Sequence, residues 1–203
     1  MTLEKVRIGD LGTIISGSTP KTNNPENWNG KVNWITPAEL IKGYNGYIYN
    51  TARTLSDKGF KSSSLTMLPK GAVLLTSRAP IGKVALVGEP MCTNQGFKNI
   101  ICDPKRVINE YLYHYLVTRY DQLNDLGRGA TFKEISKKIV EDIKIPLPPL
   151  ETQKRIVSLL DKSQELIDKR KEQIALMDLL IQSLFYDMFG DPVNNLKGWD
   201  IET

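Results

Sequence analysis

The sequence predicts an α+β fold, a globular mixed α/β domain followed by one long helix able to form a coiled coil. Three observations carry this. Five short apolar stretches, at 32–35, 47–49, 72–75, 84–87 and 99–102, are separated by turn residues and read as strands. No glycine or proline occurs from 150 to 189, where apolar residues recur at helical spacing. Composition also changes at Leu150. Through that residue 20 Lys and Arg face 13 Asp and Glu, a net of +7; beyond it 7 face 10, a net of −3. Twelve of the sixteen aromatic residues lie in the front part, so front and back are physically different materials.

Taken in order, the front half yields strands first and then helices. The clearest helix is 107–120, where Tyr111 and Tyr115, and Leu112 and Leu116, repeat at i, i+4. Thr131-Phe132-Lys133-Glu134 has the spacing of a capping box, so a second short helix is expected to begin at Thr131. Ile145-Pro146-Leu147-Pro148-Pro149-Leu150 is strand or extended chain but not helix interior, because its three prolines lack donors and fix φ. Pro149 suits a first helical turn, and Glu151 suits the positive end of the helix dipole. Gly190 followed by Asp191-Pro192 ends the helix. Its length of about 40 residues corresponds to roughly 60 Å.

Along that helix Ile156, Leu160, Ser163, Ile167, Arg170, Ile174, Met177, Ile181, Leu184 and Met188 follow a 4-3-4-3 seam with two polar interruptions. Leu159, Leu166 and Leu180 widen the stripe. The helix either lies along its own domain or pairs with another helix. Its length exceeds the roughly 35–40 Å diameter of a 150-residue globule, which favours pairing.

Composition bounds the function. The chain has 203 residues and a net charge of +4, with 40% apolar and 25% charged residues, ordinary globular values. No run of apolar residues is long enough to span a bilayer, and the charged start Glu4-Lys5-Val6-Arg7 does not suit a signal peptide. Cys92 and Cys102 cannot form a zinc site alone. The expectation is a soluble cytoplasmic protein with reduced thiols, no metal and no membrane partner.

Enzyme signatures are missing. His114 sits between two tyrosines on the expected helix and reads as a structural imidazole. There is no phosphate-binding loop and no nucleophile elbow. Asp103-Pro104 and Asp191-Pro192 lack the Pro-aromatic pair of an amino-methyltransferase loop.

Binding signals are stronger. Between Thr51 and Gly88 the basic residues Arg53, Lys58, Lys61, Lys70, Arg78 and Lys83 face one acid, Asp57. Ser62, Ser63 and Ser64 adjoin Lys61, and hydroxyls beside cations suit phosphate oxygens; an ordinary surface loop has the same composition. The loop 16–25 gathers Lys21, Asn23 and Asn24, types that pair with base edges and also dominate plain turns. Gly127-Arg128-Gly129 leads toward the expected capped helix and reads as an anion site or as a hinge.

Several motifs together resemble one family. Trp34-Ile35-Thr36-Pro37-Ala38-Glu39-Leu40 comes first, followed by Leu75-Thr76-Ser77-Arg78-Ala79-Pro80-Ile81-Gly82-Lys83 and Asn94-Gln95-Gly96-Phe97. Gly129-Ala130-Thr131-Phe132-Lys133-Glu134-Ile135-Ser136 and the run from Ile145 to Ile156 complete the series. This succession resembles the specificity subunit of type I restriction-modification systems, in a half-length form.

The resemblance implies a target recognition domain at 1–148, a spacer and dimerisation helix at 149–189, and a tail at 190–203 similar to the start of a second, missing recognition domain. It implies sequence-specific double-stranded DNA binding without catalysis. S-adenosylmethionine and ATP would belong to methyltransferase and restriction/translocase partner subunits, and this chain would hold no cofactor. A half subunit is expected to form an antiparallel homodimer through Ile156, Leu160, Ile167, Ile174, Met177, Ile181, Leu184 and Met188.

Motifs shared by subunits that read different sequences cannot encode one sequence, so they are expected to be scaffold or a methyltransferase docking face. Base reading then falls to Lys21, Asn23, Asn24, Arg53, Lys58, Lys61 and Ser62, and phosphate contacts to Arg78, Lys83 and Arg128. The competing expectation is an interaction protein that occupies methyltransferase subunits without reading DNA.

Overall fold

A computed structural model describes residues 4–43, 45–129, 133–191, 194, 197 and 198. The chain divides into two compact units, Met1–Val157 and Ser158–Thr203. The first is built on a five-stranded sheet. Its strands are β2 (Gly12–Ser16), β4 (Tyr47–Ile48), β6 (Val73–Leu75), β7 (Val84–Val87) and β9 (Lys98–Cys102), in the order β2-β9-β6-β7-β4. All neighbours are antiparallel except β4 and β7.

Both faces of this sheet are buried, which is why its central strands show no polar alternation in sequence. Val73, Leu75, Val84, Leu86 and Ile100 face one apolar cluster; Leu74, Ala85 and Val87 face another. The first cluster is closed by Tyr111, Leu112, Tyr113 and Leu116 of α2 (Asn109–Val117) and by Val140 of α4 (Lys137–Asp142). The second holds Ile35, Leu40, Leu68, Met91 and Phe97. Each such side chain contributes roughly 1.5–3 kcal/mol when fully buried.

A smaller three-stranded sheet, ordered β5-β3-β8, lies beside it in the chain: β3 (Trp28–Ile35), β5 (Arg53–Leu55) and β8 (Met91–Thr93). Trp34, Leu55 and Cys92 form its core, with Phe60 packed against them from α1 (Asp57–Lys61). Strands β1 (Lys5–Arg7) and β10 (Lys144–Pro146) pair antiparallel.

Two expected helices differ in their limits. The stretch 107–120 becomes α2 and a separate α3 (Tyr120–Asp125). Ile108 stays extended because its N–H donates to Gln153 Oε1 at 2.9 Å, and Thr118 donates back to Tyr115 O at 2.8 Å where α2 ends. The helix expected from Thr131 begins at Lys137 instead, with Ser136 accepting from Ile139 N at 3.3 Å. Thr131 and Phe132 lie outside the described residues. Glu134 forms a backbone bridge with Arg128, which prevents it from serving as the third residue of a capping box.

The last helix, α5 (Leu150–Phe189), has the expected 40 residues and ends at Gly190 with φ 77, a conformation open to glycine. Gln153 anchors its first turn. Besides accepting from Ile108, the amide donates to Arg106 O at 3.1 Å and Pro148 O at 2.8 Å, so this buried side chain satisfies three backbone groups. Among the described residues no helix is long and apolar enough to cross a membrane.

Candidate nucleic-acid interface

The edge of the small sheet begins with an irregularity. In β3 both Trp28 and Val32 stand opposite Leu55, so 29–31 form a bulge. Asn29 takes φ 61, and a Cβ on Gly30 would lie 2.3 Å from Leu55 O, so only glycine lets the bulge approach β5. The excursion returns Trp28 to the side where Trp34 faces Arg53, its register partner. Trp28 and Trp34 meet edge to face, with centroids 5.1 Å apart. The Arg53 guanidinium covers the Trp28 ring at 3.6 Å and lies 5.4 Å from that of Trp34. Trp34 is buried and donates from Nε1 to Ser18 O at 3.0 Å, which ties the base of the 16–25 loop to the same place.

Two loops far apart in sequence meet here. Ser56 N donates to Asn27 O at 3.1 Å, and Lys58 pairs with Glu26, holding that carboxylate below its usual range. Asn27 Nδ2 in turn donates to Lys21 O at 3.0 Å. The structure thus gathers Lys21, Asn23, Asn24, Arg53, Lys58, Lys61 and Ser62 from two segments onto one edge. They are not equally available. Asn24 Oδ1 accepts from Glu26 N at 3.1 Å, capping the turn Pro25–Asn27, and Ser62 Oγ donates to Gly59 O at 2.9 Å. Among the described residues, the side chains of Lys21, Asn23, Arg53 and Lys61 are exposed and make no hydrogen bond or ion pair.

The expected phosphate contacts gather elsewhere. Lys98 Nζ lies 3.1 Å from Glu134 Oε1 and 3.4 Å from Ser77 Oγ, with its side chain only 9% exposed. Arg78 Nη1 stands 4.0 Å from the other oxygen of Glu134. Arg128 joins the group through its backbone, exchanging two 3.0 Å bonds with Glu134. Beside them lies a cavity of about 440 Å³, lined in part by Arg78, Ile81, Asn124 and Lys133. Lys83 is engaged differently: its ammonium donates to Pro37 O at 3.1 Å and to Leu40 O. The motifs at 34–40, 75–83 and 94–97, with Glu134 and Ile135 of the fourth, therefore converge on one bonded framework, to which Asn94 N adds a 3.1 Å bond to Ile35 O.

In the second unit the seam side chains Leu160, Ile167, Ile174, Met177, Ile181, Leu184 and Met188 are all exposed. Ile156 is an exception to the expected seam. It lies within the first unit, half-buried against the main core, so the exposed stripe starts after it.

Sequence reasoning passed over Trp28, Glu26, Asn27, Lys98 and Gln153. Asn29-Gly30 was a legible turn signal that could have marked the bulge; nothing local marks Lys98 as the partner of Glu134. Both thiols are inert by burial, Cys92 pushed up to about 11 and Cys102, with help from Glu110, to about 12. Among the described residues no cluster of His, Cys, Asp and Glu could hold a metal.

Comparison with known proteins identifies the family. Residues 2–176 match the family profile described as type I restriction modification DNA specificity domain. A curated relative, the type I restriction enzyme MjaIX specificity subunit of Methanocaldococcus jannaschii, is 40% identical over 97% of this chain and 49% of its own. The chain spans about half the length of that relative. The fold is shared with a solved chain of a type I restriction-modification system at TM-score 0.71, with 24% identity over 89% of this chain and 43% of that one. It is shared too with the HsdS subunit from Thermoanaerobacter tengcongensis at TM-score 0.65, with 24% identity over 84% of this chain and 39% of that one. With the profile matching most of its length, the chain belongs to the family of type I restriction-modification DNA specificity domains.

Proposed function

We propose that this chain reads one half of a bipartite double-stranded DNA target and directs partner subunits to it. The carrying observation is the edge of the small sheet, where two distant segments present Lys21, Arg53 and Lys61 with no hydrogen-bond or carboxylate partner among the described residues. Exposed cations that nothing in the chain neutralises suit a polyanion. Base contacts fall to this edge, including Asn23 and, once displaced from its pairing, Lys58. Arg78 and Arg128 are placed for phosphates around Glu134, whereas Lys83 serves the framework.

The chemistry belongs to others. DNA methyltransferase subunits supply methyl transfer from S-adenosylmethionine, and a restriction/translocase subunit supplies ATP-driven cutting. The chain itself is non-catalytic and cytoplasmic, with 1–148 as recognition domain and 149–189 as spacer. The apolar stripe from Leu160 to Met188 pairs antiparallel with a second copy as a coiled coil, since so much exposed apolar surface on one helix favours association. A two-fold pair of readers calls for an interrupted palindrome.

The test is duplex binding by the chain together with its methyltransferase subunits. Binding should weaken steeply as salt rises and should prefer one duplex over scrambled competitors. A complex that assembles but binds no duplex would establish the competing role, occupation of methyltransferase subunits without reading DNA. For the pairing, light scattering at micromolar concentration should give a dimer that Ile181→Glu converts to a monomer; a wild-type monomer contradicts it.

A further inference from the structure

We infer that Arg53 is a preset guanine reader and that Trp28 is its positioning residue, so the half-site contains a G·C pair read through the major groove. This rests on the DNA-reading role proposed above and names one base pair within it. Four other arginines of the first unit are engaged by polar groups: Arg7 by Asp10, Arg78 by Glu134, Arg106 by Asp10 O and Arg119 by Gln122. Among the described residues the side chains of Arg128 and Arg155 have neither a polar partner nor a ring beneath them, so nothing fixes their orientation. Arg53 is held by ring faces alone, 3.6 Å above Trp28. Stacking fixes the plane of a guanidinium while leaving its N–H donors free at the edge. Nearby carboxylates do not take them. Glu39 accepts from Thr36 N and Ala52 N, both at 2.8 Å, and Glu26 is paired with Lys58.

A planar fork of fixed orientation matches the O6 and N7 acceptors of guanine, whose two bonds demand both direction and register. A phosphate also accepts such a fork, but it is served as well by a mobile cation and does not need the orientation fixed beforehand. The site is also built in layers. Trp34 is 2% exposed and anchors Trp28, which supports Arg53 on exposed edge strand β5. Fixing a long side chain before binding removes much of the ordering cost at the moment of contact.

The experiment uses the full chain with its methyltransferase subunits and a set of duplexes carrying every single-base change in the selected half-site. Arg53→Ala should abolish discrimination at one G·C position, a loss of roughly 5- to 150-fold there, with other positions unchanged. Arg53→Lys should do the same, because an ammonium keeps the charge but not the fork. Trp28→Phe keeps a ring face and should stay near wild type, while Trp28→Leu should relax the same position as Arg53→Ala. Since Arg53 is exposed, its replacement leaves the fold intact, and the thermal melt checks this. Equal weakening on every duplex, with a salt slope smaller by about 0.9, would make Arg53 a phosphate contact and overturn the inference. An unchanged profile would overturn it too. A wild-type profile that is itself flat would overturn the DNA-reading role first, a distinguishable failure.

Discussion

Around Glu134 and along the edge of β5 the same kinds of side chain do opposite things. At Glu134, Lys98 and Arg78 have their carboxylate within the chain, and Lys98 is nearly sealed from water. At β5, Arg53 rests on Trp28 with its donors uncommitted. A buried cation whose carboxylate lies in its own chain, as Lys98 is, supports architecture; an exposed one, whether loosely paired like Arg78 or held by rings like Arg53, keeps donors that the proposed role can use. Charge counted along the sequence cannot separate these cases, since both arise from the same basic front half.

The sharpest way to break the contrast is at Glu134. Glu134→Leu leaves Lys98 buried with no carboxylate; it should destabilise the globule by about 2–4 kcal/mol in urea unfolding while leaving base preference intact. A stable variant with altered preference would mean that Glu134 serves the DNA rather than the fold. Gln153→Leu comes close behind, stranding one backbone N–H and two carbonyls at a cost of about 2–3 kcal/mol. Lys83→Met should cost about 1–2 kcal/mol by removing the ammonium from Leu40 O and leaving Pro37 O with Leu40 N alone. An unchanged stability together with a smaller salt slope would return Lys83 to the phosphate contacts expected of it from sequence.

On the open side, Lys61→Ala should change stability by less than about 0.5 kcal/mol. It should relax one base position or reduce the salt slope by about 0.9; if neither moved, the loop would not face DNA. The thiols give a smaller effect, Cys92 in the core beneath β5 and Cys102 on the larger sheet. Burial raises them from the ordinary 9.0 to about 11 for Cys92 and about 12 for Cys102, so folding favours the neutral form. Their contribution is complete below pH 9 and declines as pH climbs toward those values. A disulfide reagent at pH 8 should label the native chain slowly and the urea-unfolded chain fast.

The parts legible in sequence were those where burial acts on a run of neighbours. Val73–Leu75 and Val84–Val87 are buried on both faces and show as apolar runs, and α5 shows through 40 residues without a breaker. Three-residue edge strands such as β1 and β8 are too short for any period, and their pairing is set by chain far away. For the site, residue types were legible and their engagement was not. Asn24 and Lys83 look available until their partners, Glu26 N and the carbonyls at 37 and 40, are seen. Trp28 was silent because its role depends on a bulge that brings it beside Arg53.

The most direct trial is to expose DNA to methyltransferase subunits loaded with this chain and sequence every modified position. Methylation confined to one interrupted palindrome, its halves inverted copies and each containing a G·C pair that Arg53→Ala makes degenerate, is the expected outcome. Modified sites without two-fold symmetry, or methyl transfer by the purified chain alone, would contradict the view of this protein as a paired reader that leaves the chemistry to its partners.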